Sequence, residues 1–144
     1  MKSSVSLHQV LRRIAPWLDE RYPGWVVFGS AALWLNGFRE VKPHDIDILT
    51  APPEGMEEEW DEGQLFRCRR RTKLCVEGIE VDISEGLEIR RPEGWLPVSV
   101  EEVVEREGLR YASFAECLRL MRLFDREKDR ERLRRLVEKD QESK

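Results

Sequence analysis

The chain has 144 residues, of which 40% are hydrophobic and 38% are charged, and its net charge is −4 at pH 7. This length fits one domain over residues 1–144, and the apolar content favours a packed core over intrinsic disorder. No run approaches the roughly 18 apolar residues of a membrane span, and the first residues lack a signal-peptide pattern, so we expect a cytoplasmic protein with no membrane partner.

The first predicted elements are a helix and a short strand. Apolar residues recur at helical spacing from residue 6 to about residue 22, and Ser6 with Gln9 has the form of a capping box. The run Trp25–Phe28 is uninterrupted and apolar, which is typical of a strand covered on both faces. The chain therefore begins with an amphipathic helix followed by a buried strand.

Gly29 and Ser30 follow this strand and turn the chain into a second predicted helix, from residue 31 to about residue 36. A glycine at such a turn lets the backbone approach a ligand closely. The N–H groups of the helix start, together with the Ser30 hydroxyl, suit a phosphate. Taken alone, the Gly-Ser pair is more typical of an ordinary tight turn.

Residues 45–50 alternate as a half-buried strand. Asp45 and Asp47 then share one face, and the isoleucines that follow each of them share the other. Two carboxylates two residues apart on a strand point the same way. This strand therefore presents a pair of acids to one side of the sheet.

Two further strands are predicted at residues 65–76 and 79–84, joined by a two-residue hairpin turn at 77–78. Counting outward from this turn pairs Lys73 with Asp82 across the hairpin. Asp82 would then lie among basic side chains and away from the apolar face of its own strand.

Four basic residues share one face of the first hairpin strand by period two: Arg67, Arg69, Arg71 and Lys73. They can bind a triphosphate or an RNA backbone. An equally good interpretation is a solvated strand whose charges prevent edge pairing.

The last third of the chain is predicted as a Pro- and Gly-marked connection, a short extended piece at 109–112 and two closing helices over about 113–139. Ser113 with Glu116 has the form of a second capping box. The final helix is highly charged with a thin apolar stripe. We expect these helices to pack on the sheet, on a partner protein or in a homodimer.

Together these elements predict an α/β fold, with a small mixed sheet, flanking helices and a core at about residues 25–84. Asp45 and Asp47, with Asp82 brought alongside by sheet pairing, supply the hard oxygen ligands that Mg²⁺ prefers. Such carboxylates repel one another unless a cation neutralises them. Each has a structural alternative, since Asp45 can begin its strand and Asp82 can pair with Lys73. In combination with the Gly-Ser turn, the acids favour a metal and phosphate site.

Three segments in this order resemble the nucleotidyltransferase superfamily, typified by DNA polymerase beta and kanamycin nucleotidyltransferase: Val27-Phe28-Gly29-Ser30, Asp45-Ile46-Asp47-Ile48 and Glu80-Val81-Asp82-Ile83. The sequences of the segments Gly29–Leu33 and Asn36–Arg39 resemble those of the branch that contains the AbiEii-type toxin proteins. Lys128-Asp129 resembles a Lys-Asp element of that branch, although ordinary helix-surface charge explains the pair more simply.

The resemblance implies transfer of a nucleoside monophosphate from a nucleoside triphosphate to an acceptor hydroxyl on RNA, protein or a small molecule. It implies two Mg²⁺ ions, which Mn²⁺ can replace. Asp45 and Asp47 would hold both ions, and Asp82 would bind one and help to deprotonate the hydroxyl. Terminal phosphates would contact Gly29 and Ser30. Further phosphate contacts are expected from three basic residues: Arg71, Lys73 and Lys128. A toxin- or antitoxin-like activity follows from family analogy alone.

Two other hypotheses stay open. The same fold can serve as a non-catalytic module that binds a nucleotide, or that binds a partner through its charged C-terminal helices. Alternatively, the motif arises by chance in an unrelated α/β protein, in which case Asp82 lies far from Asp45 and Asp47. The sequence identifies neither the nucleotide nor the acceptor, because both depend on the shape of the pocket.

Overall fold

The computed structural model describes residues 6–39, 43–55 and 59–142. The helices in these ranges are α1 Leu7–Arg21, α2 Gly29–Leu35, α3 Phe114–Phe124 and α4 Glu127–Glu142. The strands are β1 Val26–Phe28, β2 Asp45–Thr50, β3 Asp61–Glu62, β4 Phe66–Cys68, β5 Arg70–Val76, β6 Ile79–Glu85, β7 Glu88–Arg91, β8 Gly94–Pro97, β9 Val103–Arg106 and β10 Leu109–Ala112.

The larger of two sheets contains six strands in the order β5-β6-β2-β1-β10-β9. β2 pairs in parallel with β6 and β1 pairs in parallel with β10, whereas the other neighbours are antiparallel. The predicted strand Asp45–Thr50 is confirmed residue for residue. The prediction of an α/β fold with a mixed sheet and flanking helices is also confirmed.

The hairpin of β5 and β6 has the predicted register, with Lys73 directly opposite Asp82. Its turn residues, Glu77 and Gly78, have left-handed φ angles of 50° and 83°. A two-residue turn with this geometry matches the twist of the two strands, which fixes the pairing along the whole hairpin.

The prediction of one continuous strand over residues 65–76 is wrong. β4 and β5 belong to different sheets, because β4 pairs with β3 and β7 and contributes to a second core. The chain crosses between the sheets at Arg69, whose N–H donates to the carbonyl oxygen of Glu85 at 2.8 Å. Arg67 and Arg69 therefore do not belong to the same strand as Arg71 and Lys73.

A second sheet, in the order β3-β4-β7-β8, occupies much of the region predicted as an irregular connection. β7 and β8 form a hairpin whose turn lies between Arg91 and Gly94, at the residues that had suggested a break. The extended piece at 109–112 is confirmed as β10, and β9 pairs with it in an antiparallel hairpin.

The main core lies on one face of the larger sheet, where Ile46 and Ile48 are fully buried beside residues of α1 and α2. The opposite face of β2 carries Asp45 and Asp47, because side chains alternate along a strand. A second core joins the small sheet to the end of α3 through residues such as Ile89 and Phe124. No helix in the described ranges is long and apolar enough to cross a membrane.

Candidate active site

Two aspartates face each other on neighbouring strands. Asp47 in β2 is the register partner of Asp82 in β6, and Asp45 lies two residues earlier on the same face as Asp47. Because paired strands run about 4.8 Å apart, these carboxyl groups are close neighbours. The chance-motif hypothesis requires Asp82 to lie far from the other two acids, and the pairing contradicts it.

The carboxyl group of Asp47 is the most strongly perturbed acid of the site. Burial raises its pKa to about 7, and the adjacent charges of Asp45 and Asp82 add to the rise. Lys128 and Arg126 oppose the shift but do not cancel it. A cation bound beside Asp47 would favour its charged form and offset the effects of burial and of the two neighbouring carboxylates.

Asp82 is bound by Arg71 rather than by the lysine directly across the hairpin. Nε of Arg71 donates to both carboxylate oxygens at 3.0 and 3.1 Å, and Nη2 donates to Oδ2 at 2.5 Å. This hydrogen bonding raises the pKa of Arg71 above its usual range. Lys73 instead pairs with Glu80 at 3.7 Å on the exposed side of the hairpin and does not line the cleft.

These contacts decide how far the acids match a metal site. Within the described ranges, no three Asp, Glu, His or Cys side chains form a group that could hold a metal ion. Both oxygens of Asp82 accept hydrogen bonds from Arg71. Asp45 and Asp47 alone still fit Mg²⁺, which is usually held by one or two carboxylates together with waters and substrate phosphates. Asp82 lies beside this pair, and its oxygens keep lone pairs that Arg71 does not use.

The turn between β1 and α2 lies against the same acids. Phe28 pairs with Asp47, and the next residue, Gly29, has a left-handed φ of 72°. A Cβ at Gly29 would lie 3.4 Å from Oδ2 of Asp47. No side chain caps the first turn of α2, so the N–H groups beside Ser30 are available to a ligand. The predicted placement of Gly29 and Ser30 next to the aspartates is what the structure has.

The acids open into a cleft of about 1070 Å³ between the two sheets and the C-terminal helices. Apolar side chains from both cores line part of it, including Leu33, Leu87 and Phe124. This size is at the upper end of the range for small-ligand pockets. The cleft therefore combines an acidic edge with apolar surface suited to a base or an acceptor.

Helix α4 contributes basic side chains to the cleft. Lys128 lines it, as the Lys-Asp resemblance implied, whereas Asp129 is buried to 2% exposure and does not lie on the helix surface. Asp129 accepts hydrogen bonds from the backbone N, Nε and Nη2 of Arg126 at 3.2, 2.6 and 3.1 Å. These bonds fix the first turn of α4 and hold Lys128 toward the acids.

The basic residues of the cleft that sequence reasoning missed include Arg132 and Arg135. They follow Lys128 by four and seven residues, which is the spacing of one helix face. That spacing is visible in the sequence. The spacing alone does not indicate a site, because the sequence does not show that this polar face of α4 turns toward the cleft and not toward solvent.

No family model matches the chain, and no curated protein does. The chain is similar to a protein from Thermotoga maritima whose crystal structure has been assigned as that of a nucleotidyltransferase. The similarity has a TM-score of 0.66 and 26% sequence identity, and it covers 92% of each chain. The fold is therefore that of a nucleotidyltransferase, and the likeness supports the superfamily and nucleotidyl transfer as the general activity of this chain.

Proposed function

We propose that the chain is an Mg²⁺-dependent nucleotidyltransferase that moves a nucleoside monophosphate from a nucleoside triphosphate to an acceptor hydroxyl. One observation carries the proposal, namely the juxtaposition of the Gly29 turn, the Asp45 and Asp47 pair, and Asp82 at one edge of the cleft. Each part is common alone, but together they offer phosphate contacts beside carboxylate ligands.

Asp45 and Asp47 would hold Mg²⁺, as two ions that Mn²⁺ can replace. When bound, the metal aligns the acceptor hydroxyl with the α-phosphate and stabilises the leaving pyrophosphate. Asp82 would accept the proton of the acceptor hydroxyl on a carboxylate lone pair that Arg71 does not use. The guanidinium N–H groups of Arg71 that do not bind Asp82 would contact phosphate.

The triphosphate would contact the N–H groups beside Gly29 and the hydroxyl of Ser30, with Lys128 approaching from α4. These groups line the same cleft as the acids. Lys73 was predicted as a further phosphate ligand. Its pairing with Glu80 outside the cleft makes Lys128 and Arg71 the better candidates for that role.

The proposal names a chemical class of acceptor and a general biological role. The acceptor is a hydroxyl on RNA, protein or a small molecule, and the wording shared with AbiEii-type toxins suggests a toxin- or antitoxin-like role in the cytoplasm. A partner protein or a second copy of the chain, bound through α3 and α4, would complete the acceptor side.

A second candidate is a non-catalytic nucleotide-binding module on the same fold. One observation favours it: both oxygens of Asp82 are occupied by Arg71, and the described residues contain no three-ligand metal group. In that case nucleotide binding would not depend on Mg²⁺ and no monophosphate would be transferred.

The test is to measure binding of ATP, GTP, CTP and UTP with and without Mg²⁺ by calorimetry. Wild type is compared with Asp45→Asn/Asp47→Asn and with a control, Glu93→Gln/Glu102→Gln, which removes the same charge from exposed positions outside the cleft. Metal-dependent binding that is lost only in the aspartate variant supports the transferase.

Equal binding with and without Mg²⁺ in all three proteins would favour the non-catalytic module. Absence of binding to every nucleotide would contradict both candidates. A nucleotide labelled at the α-phosphate, incubated with wild type and RNA or protein, then tests transfer directly. Label should appear on the acceptor with wild type and not with the aspartate variant.

A further inference from the structure

One face of α4 is basic over its first half. Lys128, Arg132 and Arg135 are spaced by four and three residues, so they lie in a row on the same side of the helix. All three line the cleft that contains the aspartates. Over seven residues this row extends for about 10 Å along the helix axis. It forms a surface of positive charge along one wall, and we call it the α4 basic face.

The course of α4 places this face across the cleft. At its start, the guanidinium of Arg126 lies over the rings of Phe66 and Phe124, at 5.5 and 5.2 Å, next to the small sheet. Nearly three turns after Arg126, Leu136 is buried in the main core. The helix therefore runs from the small sheet to the main core and covers the side of the cleft between them.

The basic face is poorly neutralised by the protein itself. Among the residues that the structure describes, Lys128 and Arg132 form no ion pair, and Arg135 has one exposed contact with Glu131 at 3.4 Å. By contrast, three other arginines near or on α4 each have an acidic partner: Arg126, Arg130 and Arg134. Arg126 also lines the cleft but is paired with Asp129, so Lys128, Arg132 and Arg135 are the cleft-lining cations of α4 with the fewest acidic contacts.

The ligand that fits such a wall is a compact polyanion. The cleft is bounded by both sheets and α4, and its volume of about 1070 Å³ suits a small molecule better than a long nucleic-acid backbone. Guanidinium groups bind phosphate oxygens in pairs, and two arginines one helical turn apart can contact successive phosphates of one chain.

We propose that Arg132 and Arg135 bind the polyphosphate of the nucleotide substrate and extend the contact made by Lys128. The inference rests on the proposed function in placing a nucleotide in this cleft. It adds that α4 contacts the terminal phosphates from a second side of the cleft, together with the contacts that Gly29 and Ser30 make.

The experiment measures binding of inorganic tripolyphosphate to the full chain without metal, by calorimetry. This probe carries neither base nor sugar and does not depend on Asp45 or Asp47. Arg132→Ala/Arg135→Ala is expected to raise Kd by about tenfold or more, as loss of two charge-assisted contacts predicts. The matched control is Arg130→Ala/Arg134→Ala, which removes two arginines from α4 outside the cleft, and its Kd should change by less than about threefold.

A charge-retaining variant, Arg132→Lys/Arg135→Lys, guards against a change in folding and should recover most of the affinity. Equal weakening in the cleft variant and the control would overturn the inference, as would absence of tripolyphosphate binding in wild type. An unlabelled RNA oligomer without a triphosphate that binds through Arg132 and Arg135, where tripolyphosphate does not, would overturn it in favour of an RNA surface.

The two proposals fail in different ways. If Arg132 and Arg135 bind tripolyphosphate but Asp45→Asn/Asp47→Asn has no effect on nucleotide binding, the α4 site stands and the transferase proposal fails. If nucleotide binding depends on metal and on the aspartates but not on the two arginines, the transferase proposal stands and the α4 site fails.

Discussion

The carboxyl group of Asp47 ionises with difficulty because it is buried beside two other acids. Its pKa of about 7 lies well above the ordinary value of 3.8. The unfolded chain therefore gives up this proton near pH 4, while the folded protein keeps it until about pH 7. Between these values the folded state binds more protons, so stability falls as pH rises, and above about pH 7 the full penalty is present.

This electrostatic penalty predicts that Asp47→Asn stabilises the protein when divalent metal is removed with EDTA. At pH 8 the free energy of unfolding should exceed that of wild type by on the order of 2 kcal/mol, and near pH 4 the difference should vanish because wild type is then protonated. Urea denaturation at both pH values measures it. Glu138→Gln, an equal change of charge at an exposed position, should show no such pH dependence, and an Asp47→Asn effect that is identical at both pH values would contradict the explanation.

Gly29 offers a second test because its backbone strain can be separated from its position. Gly29 and Gly24 have similar left-handed φ angles of 72° and 76°, but only a Cβ at Gly29 would approach Asp47, at 3.4 Å. Alanine at either position should cost about 1–2 kcal/mol of stability. Only Gly29→Ala should also weaken nucleotide binding, because its methyl group would stand where a phosphate passes. Thermal denaturation and calorimetry measure the two effects, and equal affinity of both variants would remove Gly29 from the phosphate site.

At the scale of residues, the sequence was sufficient where short-range geometry decides. The period of a strand put Asp45 and Asp47 on one face, and the hairpin turn put Lys73 opposite Asp82. The ion pairs were harder to predict from the sequence. Arg71 is a diagonal neighbour of Asp82 and its longer side chain binds both oxygens, a choice of rotamer that register does not determine.

At the scale of elements, α3 begins at a capping residue that the sequence predicts, but its first turn also makes a tertiary contact that the sequence does not predict. Ser113 caps the helix by accepting a hydrogen bond from the N–H of Glu116 at 3.2 Å. The Glu116 side chain does not return that bond; it accepts from the N–H groups of Glu101 and Glu102 and from Arg119 Nε at 2.5 Å. The buried carboxylate thus ties α3 to the segment before β9. The capping pattern predicted where the helix begins but not this contact, which joins residues 14 and 15 positions apart.

Glu116 also has a pKa below its usual value, since bonds from Arg119 and two backbone N–H groups outweigh the opposing effect of burial. Its stabilisation is therefore present above the unfolded pKa of about 4.5 and is lost as pH falls through the lower folded value. Glu116→Gln should cost about 1.5–3 kcal/mol at pH 7 and much less near pH 3. Chemical denaturation at both pH values checks this, with Glu101→Gln as the control. Glu101 is 68% exposed and lies 3.8 Å from Arg119, so its loss should change stability by under about 1 kcal/mol.

The small sheet was the element that sequence patterns did not reveal. Its strands have two to four residues each, too few for alternation to stand out from a loop. Pro92 and Gly94 suggested an irregular connection, but Pro92 lies in the turn of the β7 and β8 hairpin and Gly94 is the first residue of β8. A strand this short is stabilised by its neighbours and by the second core, and both are long-range properties of the fold.

For the whole molecule, the decisive feature is how two sheets are joined around one cleft. The chain passes between them at Arg69 and again at Gly86, where Gly86 N–H donates to the carbonyl of Thr50 at 3.0 Å. The acids lie on the larger sheet, and the small sheet and α4 supply other walls of the cleft. The crossing therefore determines the shape of the site as well as the fold.

Gly86 leaves no room for a side chain at this crossing. A Cβ there would lie 2.9 Å from Cβ and 3.3 Å from Cα of Pro52, and the residue has a left-handed φ of 68°. Gly86→Ala should therefore cost about 2–5 kcal/mol, the sum of backbone strain and overpacking. Gly78→Ala is the matched control, because Gly78 has a φ of 83° with nothing within 4 Å of a Cβ, and it should cost only the strain, about 1–2 kcal/mol. Urea denaturation measures both. Hydrogen exchange should show that Gly86→Ala loosens β4 and β7 along with β6, and a loss of protection confined to the large sheet would mean that the crossing does not couple the two.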